Sequence, residues 1–298
     1  EGTVFEQPDI GGILGLSFRE MSANGATPLF DNIVEQGVLA KNSFAFYMSP
    51  DNPSGNALFW GPVDRRFYEG DMQYFHVSDP YYWSVDLERF KIGRETLLAS
   101  GAAGPSSFLG HAPNATAGGL RAALRFEPKA IFDSGTTYFT AGDGLFERVM
   151  AKLPAMACDS MTKESHPDIA FRLIDTSGRK ADFVFNHDEY MVRSDDTSGA
   201  EECRPAFMRI NVPAEHDGPS LLMGQTFNLK YLVEYDRGDG DNRHAQVGVA
   251  LARHGPEQEA ALRAATEGQP SVFAGGGLEP PATGGKSIVG RAAVGAAA

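Results

Sequence analysis

The segment best suited to chemistry is Ala130-Ile131-Phe132-Asp133-Ser134-Gly135-Thr136-Thr137-Tyr138-Phe139. An apolar run leads into a carboxylate flanked by hydroxyls and a glycine, and a second apolar run follows. A carboxyl group held between two buried strands, with hydroxyl donors beside it, can serve as a positioned acid or base. Asp-Ser-Gly is also common turn chemistry, and taken alone the motif favours a simple tight turn.

Other segments approach known functional motifs but lack residues that those motifs need. Gly285-Lys286-Ser287 lacks the first glycine of a phosphate-binding loop, because Pro280 stands in its place. The acidic run at residues 236–241 lacks the glycine and the glutamate of a calcium loop, so it predicts a solvated turn between two strands. The seven histidines show no metal-ligand spacing, and no metal is expected.

Composition excludes several classes of partner. The 298 residues carry 26 basic and 39 acidic side chains, a net charge of −13, so nucleic acid or an anionic membrane is not expected as a partner. No run of about 18 apolar residues is present, so no transmembrane segment is expected. The two cysteines, Cys158 and Cys203, could form one disulfide or stay as unrelated thiols. Asn114 begins the one glycosylation triplet, which supports secretion weakly.

The elements around the motif are mainly short strands. Runs of β-branched and aromatic residues bounded by turn formers predict strands at residues 44–48, 57–60, 72–77, 83–92, 169–174, 183–185, 231–235 and 246–251. Helices are predicted near residues 28–36, with Thr27 as N-cap, and near residues 144–153, capped by Asp143. Residues 254–298 are rich in Ala, Gly and Pro and predict a disordered tail, with a frayed helix at most over residues 257–265. Residues 100–114 predict a long exposed loop.

With these elements in place, the chain resembles the pepsin-like aspartic proteases over about residues 3–252. Residues 11–16 are similar to the family's FDGILGL segment, residues 25–32 to GATPVFDN, and residues 222–227 to ILGDVF. Further matches follow in family order at residues 56–64, 68–77, 82–83, 231–236 and 247–250. The chain departs from the family at Gly11 and Gln225, where an aspartate is usual.

The resemblance implies a mainly β, bilobal fold with a few short helices. Residues 1–78 would form the second half of the N-terminal lobe with the strand between the lobes. Residues 79–253 would form the complete C-terminal lobe, and residues 254–298 the tail. In this family each lobe supplies one aspartate, the two share a proton, and the pair activates a water for peptide hydrolysis without a cofactor.

The resemblance also implies roles for individual residues. Asp133 would be the catalytic aspartate of the C-terminal lobe. Its loop would be supported by Ser134, Gly135, Thr136, Leu222, Met223 and Gly224. Substrate-binding positions would be Ile131, Tyr82, Val4, Phe5 and Ile13. Cys158 and Cys203 would form the family's C-lobe disulfide, which implies a secretory route, with either an acidic vacuolar or lysosomal-type compartment or secretion.

A second catalytic loop is not found in the sequence. Residues 175–178 and 196–199 carry an extra residue before their glycine and do not lie between apolar strands, so both predict turns. The sequence therefore predicts an aspartic endopeptidase of polypeptides whose partner aspartate lies upstream, in a missing half-lobe of the same protein. This fragment alone would be inactive.

Two alternatives remain open at this point. One is a protease-like binding protein without catalytic activity. The other is a symmetric dimer in which Asp133 of two chains forms one site, although the remnant half-lobe would obstruct such pairing.

Overall fold

The computed structural model describes residues 13–51, 55–101, 127–195, 201–210, 220–266 and 288–290. Within these ranges the chain is mainly β with a few short helices, which confirms the predicted fold class. It divides into two compact units. Unit 1 contains the described residues up to Tyr74, Pro80–Tyr82 and those from Asn228 onward, and unit 2 contains Phe75–Asp79 and Trp83–Phe227.

Strands are the commonest regular element of both units. They are β1 Ser43–Tyr47, β2 Ala57–Trp60, β3 Tyr68–Asp79, β4 Ser84–Ile92, β5 Glu95–Ala99, β6 Lys129–Phe132, β7 Phe139–Ala141, β8 Met156–Ala157, β9 Ile169–Ile174, β10 Lys180–Phe185, β11 Met191–Asp195, β12 Glu201–Pro205, β13 Phe207–Arg209, β14 Ser220–Met223, β15 Tyr231–Asp236, β16 Gln246–Ala252 and β17 Ile288–Gly290. The α-helices are α1 Leu29–Glu35, α2 Asp143–Lys152, α3 His187–Tyr190, α4 Gln225–Asn228 and α5 Pro256–Thr266.

Unit 1 is built on antiparallel strands. β1 lies between β2 and β15, β15 pairs with β16, and β17 pairs with the other edge of β2. All five residues of β1 are buried, so this strand is covered on both faces. Phe44 stacks on Tyr235 with ring centroids 4.7 Å apart, and Phe30 of α1 packs edge-on against Phe44. Buried aromatic rings therefore pack against β1.

Unit 2 is organised by the long strand β4. The start of β4 pairs with β6 and with the end of β3, and its second half pairs with β5 and β9. A register shift between Leu87 and Arg89 marks the change of partner, as expected for a bulge that bends a strand. Phe90, Phe139 and Phe171 fill the core beside β4, and each is at most 1% exposed.

The disulfide predicted from the resemblance is present. Cys158 begins a short 3-10 turn and bonds Cys203 on β12, with the two Cα atoms 5.0 Å apart. It closes a span of 45 residues beside the three-stranded sheet of β8, β11 and β12. The disulfide interpretation is thus confirmed, and the alternative of two unrelated thiols is wrong.

The local predictions agree with the structure except at helix caps and at the C-terminal region. α1 begins at Leu29 with Pro28 before it, and the Thr27 hydroxyl accepts a hydrogen bond from Arg19 instead of capping the helix. Gly142 takes the cap position of α2, so Asp143 lies inside that helix. The turn predicted at residues 236–241 lies between β15 and β16.

The first part of the expected tail is ordered and packed. α5 buries Gln258, Ala261 and Leu262, and these residues recur on one face at helical spacing. Strands β15 and β16 also group with unit 1 instead of with the lobe that holds Asp133. Both differences arise from contacts between residues far apart in the chain, which local composition does not encode. The predicted loop at residues 102–114 and the segment at residues 196–199 lie outside the described residues.

Candidate active site

Asp133 directly follows β6, which is paired with one strand on each side. β6 runs parallel to β14 and antiparallel to β4, so its last residues are hydrogen-bonded on both sides. The Phe132 amide donates to the Trp83 carbonyl at 2.9 Å. The Asp133 amide donates to the Met223 carbonyl at 3.1 Å. Paired strands on both edges position a side chain more precisely than a free loop does.

The carboxylate of Asp133 accepts hydrogen bonds from its own loop. The Gly135 amide donates to Oδ1 at 2.9 Å, and the Thr136 hydroxyl donates to Oδ2 at 2.5 Å. Both carboxylate oxygens therefore have a donor from within four residues of chain. Asp133, Ser134 and Thr136 are half-buried and Gly135 is exposed, so the carboxylate stays within reach of a ligand.

Gly224, the residue after β14, allows the backbone there to approach the Asp133 loop closely. A Cβ atom at this position would lie 2.3 Å from the Tyr138 carbonyl oxygen and 2.5 Å from that of Thr136, too near for any side chain. Leu222 and Met223, which precede it on β14, are almost fully buried. In the structure, Leu222 pairs with Ile131 of β6, the Met223 carbonyl accepts from the Asp133 amide, and Gly224 lies against the loop carbonyls.

Two side chains beyond the predicted set also hold the loop. Gln225 Nε2 donates to the Ser134 carbonyl at 3.2 Å, while the Gln225 amide donates to the Thr136 carbonyl at 2.7 Å. The Thr226 hydroxyl and amide both donate to the Thr137 carbonyl, at 3.1 and 3.0 Å. The sequence feature that could have identified Gln225 and Thr226 is their position as two polar residues directly after Leu222-Met223-Gly224. In the sequence, Gln225 stands where the family pattern usually has an aspartate.

The predicted substrate-binding positions are found in different settings. Ile131 is 3% exposed and belongs to the interior of unit 2. Tyr82, in unit 1, is half-buried and packs edge-on against Tyr81. Ile13 is 70% exposed in unit 1. Val4, Phe5 and Asn114 lie outside the described residues.

The second acidic turn behaves differently from the Asp133 loop. Asp175 accepts from the Ser177 hydroxyl, the Ser177 amide and the Arg179 amide, and its side chain pairs with Arg179. The Ser177 hydroxyl, followed by the two amides, lowers the pKa of Asp175 to about 2. The Asp175 carboxylate lies in the turn between β9 and β10, and both of its oxygens accept hydrogen bonds from residues of that turn. The prediction of a structural turn at residues 175–178 is therefore confirmed.

Two further features concern ligands and membranes. Within the described ranges, no group of three or more His, Cys, Asp or Glu side chains is arranged to hold a metal ion. No helix in those ranges is long and apolar enough to cross a bilayer.

Comparison with known proteins assigns the family. The family profile of eukaryotic aspartyl proteases matches residues 1–250. The chain is 31% identical to aspartic protease 3 of Toxoplasma gondii, over 88% of this chain and 36% of that protein. It is 28% identical to plasmepsin IX of Plasmodium falciparum, over 87% of this chain and 46% of that protein. It is 26% identical to pepsin A of Sus scrofa, over 80% and 53% of the two chains.

The chain thus spans between about a third and a half of the length of these relatives. The family match covers most of the chain and includes the strands that hold Asp133. Mainly β structure in two compact units agrees with it. This chain therefore belongs to the eukaryotic aspartyl protease family.

Proposed function

We propose that Asp133 is one of two catalytic carboxylates of an aspartic endopeptidase. The observation that carries the proposal is the Asp133 loop, in which a half-buried carboxylate is held by Gly135 and Thr136 at a braced strand end. A carboxylate fixed in this way can accept a proton from a water molecule or donate one to a scissile carbonyl. Met223, Gly224 and Gln225 keep the loop in position.

The second carboxylate is proposed to come from a polypeptide segment outside these 298 residues. Two carboxylates close together share one proton and titrate as a pair, which supplies the acid and the base at the same time. Asp133-Ser134-Gly135 is the single Asp-Ser/Thr-Gly triplet in the sequence. We therefore expect the 298-residue chain to be inactive by itself, with polypeptides as the substrates of the whole protein.

The candidate substrate-binding residues and the disulfide bear on substrate contact and on the cellular route. Tyr82 and Ile13 carry solvent-accessible surface that a substrate could contact, whereas Ile131 is buried and would act through the packing of β6. The Cys158–Cys203 disulfide supports passage through an oxidising secretory route, ending in secretion or in an acidic compartment.

The test is peptide hydrolysis by the native protein, purified from its source, between about pH 3 and pH 7. Asp133→Ala should lower kcat about 10³-fold or more, because removal of a general acid–base group costs about that much. Asp175→Asn is the matched control, since Asp175 has a similar local sequence but sits in a structural turn; it should keep its activity.

Three outcomes would contradict the proposal. Full activity in Asp133→Ala would remove Asp133 from the chemistry. Hydrolysis by the 298-residue chain alone, lost in Asp133→Ala, would place two copies of Asp133 in one site and overturn the upstream carboxylate. A native protein that hydrolyses no peptide at any pH would favour the binding-protein interpretation.

A further inference from the structure

A groove of about 460 Å³ opens on unit 2, formed by the ends of β4, β9 and β10 and the loop before β9. Its apolar lining comes from Pro167, Ala170 and Val184. Three basic residues line it as well: Lys91, Arg94 and Lys163. The volume falls within the usual range of about 300–1,000 Å³ for ligand sites.

The walls of the groove are preformed. Gly93 and Arg94 form the two-residue turn between β4 and β5, and Gly93 has a φ of 56° that favours glycine. The Gly93 amide donates to the Asp168 carbonyl at 2.8 Å. A Cβ atom on Gly93 would lie 3.1 Å from Pro167. The turn that carries Arg94 is thereby packed against the opposite wall.

The wall that carries Lys163 is anchored as well. The Tyr190 hydroxyl donates to the Pro167 carbonyl at 2.9 Å. His166 is fully buried, and its Nε2 lies 2.9 Å from the Pro154 carbonyl oxygen. Thr162 and Ser165 hydrogen-bond to each other within the turn that contains Lys163. A ligand would therefore meet an ordered surface, and little conformational entropy would be lost on binding.

The charge of the groove is opposite to that of the chain. Its lining carries three cations and one carboxylate, that of Asp168, in a protein with a net charge of −13. Among the described residues, no carboxylate lies within direct ion-pair distance of Arg94, Lys163 or Lys91, although Lys91 helps Arg172 to lower the pKa of Asp182. The neighbouring cations on the same sheet are paired, Arg172 with Asp182 and Lys180 with Glu88.

We propose that this groove binds an acidic segment of a polypeptide, with an apolar side chain of that segment on Pro167, Ala170 and Val184. The cations match the carboxylates of such a segment, and the apolar lining favours a peptide over a bare anion. The identification of the segment as part of a substrate rests on the proposed peptidase function. The groove would then hold substrate on unit 2 through contacts that do not involve the Asp133 loop.

The test measures binding of a fluorescent peptide, a leucine flanked by glutamates, to the 298-residue chain at low ionic strength. Saturable binding is expected, and each of Lys163→Glu and Arg94→Glu should weaken it about fivefold, roughly the effect of reversing one charge at an exposed site. Lys180→Glu is the matched control, because it makes the same charge change on the same unit outside the groove. It should change the affinity less than about twofold.

Replacing the leucine by serine in the peptide should also weaken binding, since the apolar contact is lost. Inorganic phosphate is the second probe and should compete only weakly. Absence of saturable binding, equal losses in Lys180→Glu and Lys163→Glu, or equal binding of the serine peptide would each overturn the proposal. The readout needs no hydrolysis, so its failure is distinct from failure of the peptidase function.

Discussion

At the scale of single residues, the Asp133 loop depends on how closely two backbones approach. Gly224 lies against the carbonyl groups of Thr136 and Tyr138, and the next amide, that of Gln225, donates to the Thr136 carbonyl. The Gln225 side chain adds a bond to Ser134. Each bond contributes about 1 kcal/mol, so their main effect is to hold the loop in one geometry.

Gly224→Ala is expected to destabilise unit 2 by about 1–3 kcal/mol, because the new methyl group meets two backbone oxygens that cannot move independently. Denaturant unfolding monitored by tryptophan fluorescence measures the change. Gly15→Ala is the control, since no atom lies within 4 Å of the added Cβ, and its effect should stay within about 0.5 kcal/mol. Equal stability of Gly224→Ala and the wild type would show that the backbone at Gly224 lies farther from the Thr136 and Tyr138 carbonyls than this structure indicates.

At the scale of elements, the three-stranded sheet of β8, β11 and β12 relies on the disulfide. β8 has two residues, and among the described strands it pairs only with β12, through Cys203↔Met156 and Glu202↔Ala157. Such a short pairing is weak by itself. The Cys158–Cys203 bond holds the end of β8 against β12 and limits the freedom of the 45-residue span in the unfolded chain.

The double change Cys158→Ala with Cys203→Ala should lower the free energy of unfolding by about 2–4 kcal/mol, from the loop-closure entropy of that span. Chemical denaturation under non-reducing conditions measures the loss. The reduced wild type, with a thiol reagent present, is the control and should show a similar loss. A double variant as stable as the oxidised wild type would mean that β8 and β12 are held by their packing.

At the scale of the whole molecule, unit 1 is joined by contacts between residues far apart in the chain, among them a pair 207 positions apart. Arg237 is 4% exposed and pairs with Asp31, 206 positions away, and its guanidinium lies over Phe18. Gln258 of α5 donates to the Arg66 carbonyl. His254 contacts the Tyr47 hydroxyl through Nδ1 and the Leu229 carbonyl through Nε2. These contacts fix α5 and β1 in the same unit.

His254 should make the stability of unit 1 depend on pH. Burial lowers its pKa below 6.5, although the bond to Leu229 and the charge of Asp51 act in the opposite direction. Because the folded pKa is depressed, the stabilisation is complete above the unfolded value near 6.5 and is lost as the pH falls through the lower folded value.

The free energy of unfolding should therefore fall more steeply for the wild type than for His254→Gln between about pH 8 and pH 5. The extra slope is at most about 1.4 kcal/mol per pH unit, the value for one proton. Thermal or urea unfolding at several pH values measures it, with His244→Gln at an exposed turn as the control. A wild type that gains stability relative to His254→Gln on acidification would show that the pKa is raised.

Much of the local structure could be predicted because its determinants are adjacent in the chain. The strands at residues 57–60 and 169–174 were predicted with their observed bounds, since each is an apolar run between turn formers. The Asp133 loop forms its hydrogen bonds within four residues. The motif alone favours a simple tight turn, and only the family resemblance suggested roles for Gly135 and Thr136. The family resemblance placed Leu222–Gly224 beside that loop.

The sequence by itself determined the strand-rich character, the acid-bearing loop and the pair of cysteines, since residue type and near-neighbour spacing encode all three. Tertiary structure alone decided that β15, β16 and α5 join unit 1, that Gln225 holds the Ser134 carbonyl, and that Lys91, Arg94 and Lys163 share one groove. These arrangements depend on which distant surfaces bury each other. That choice is made by the summed packing of the whole chain, and no local pattern records it.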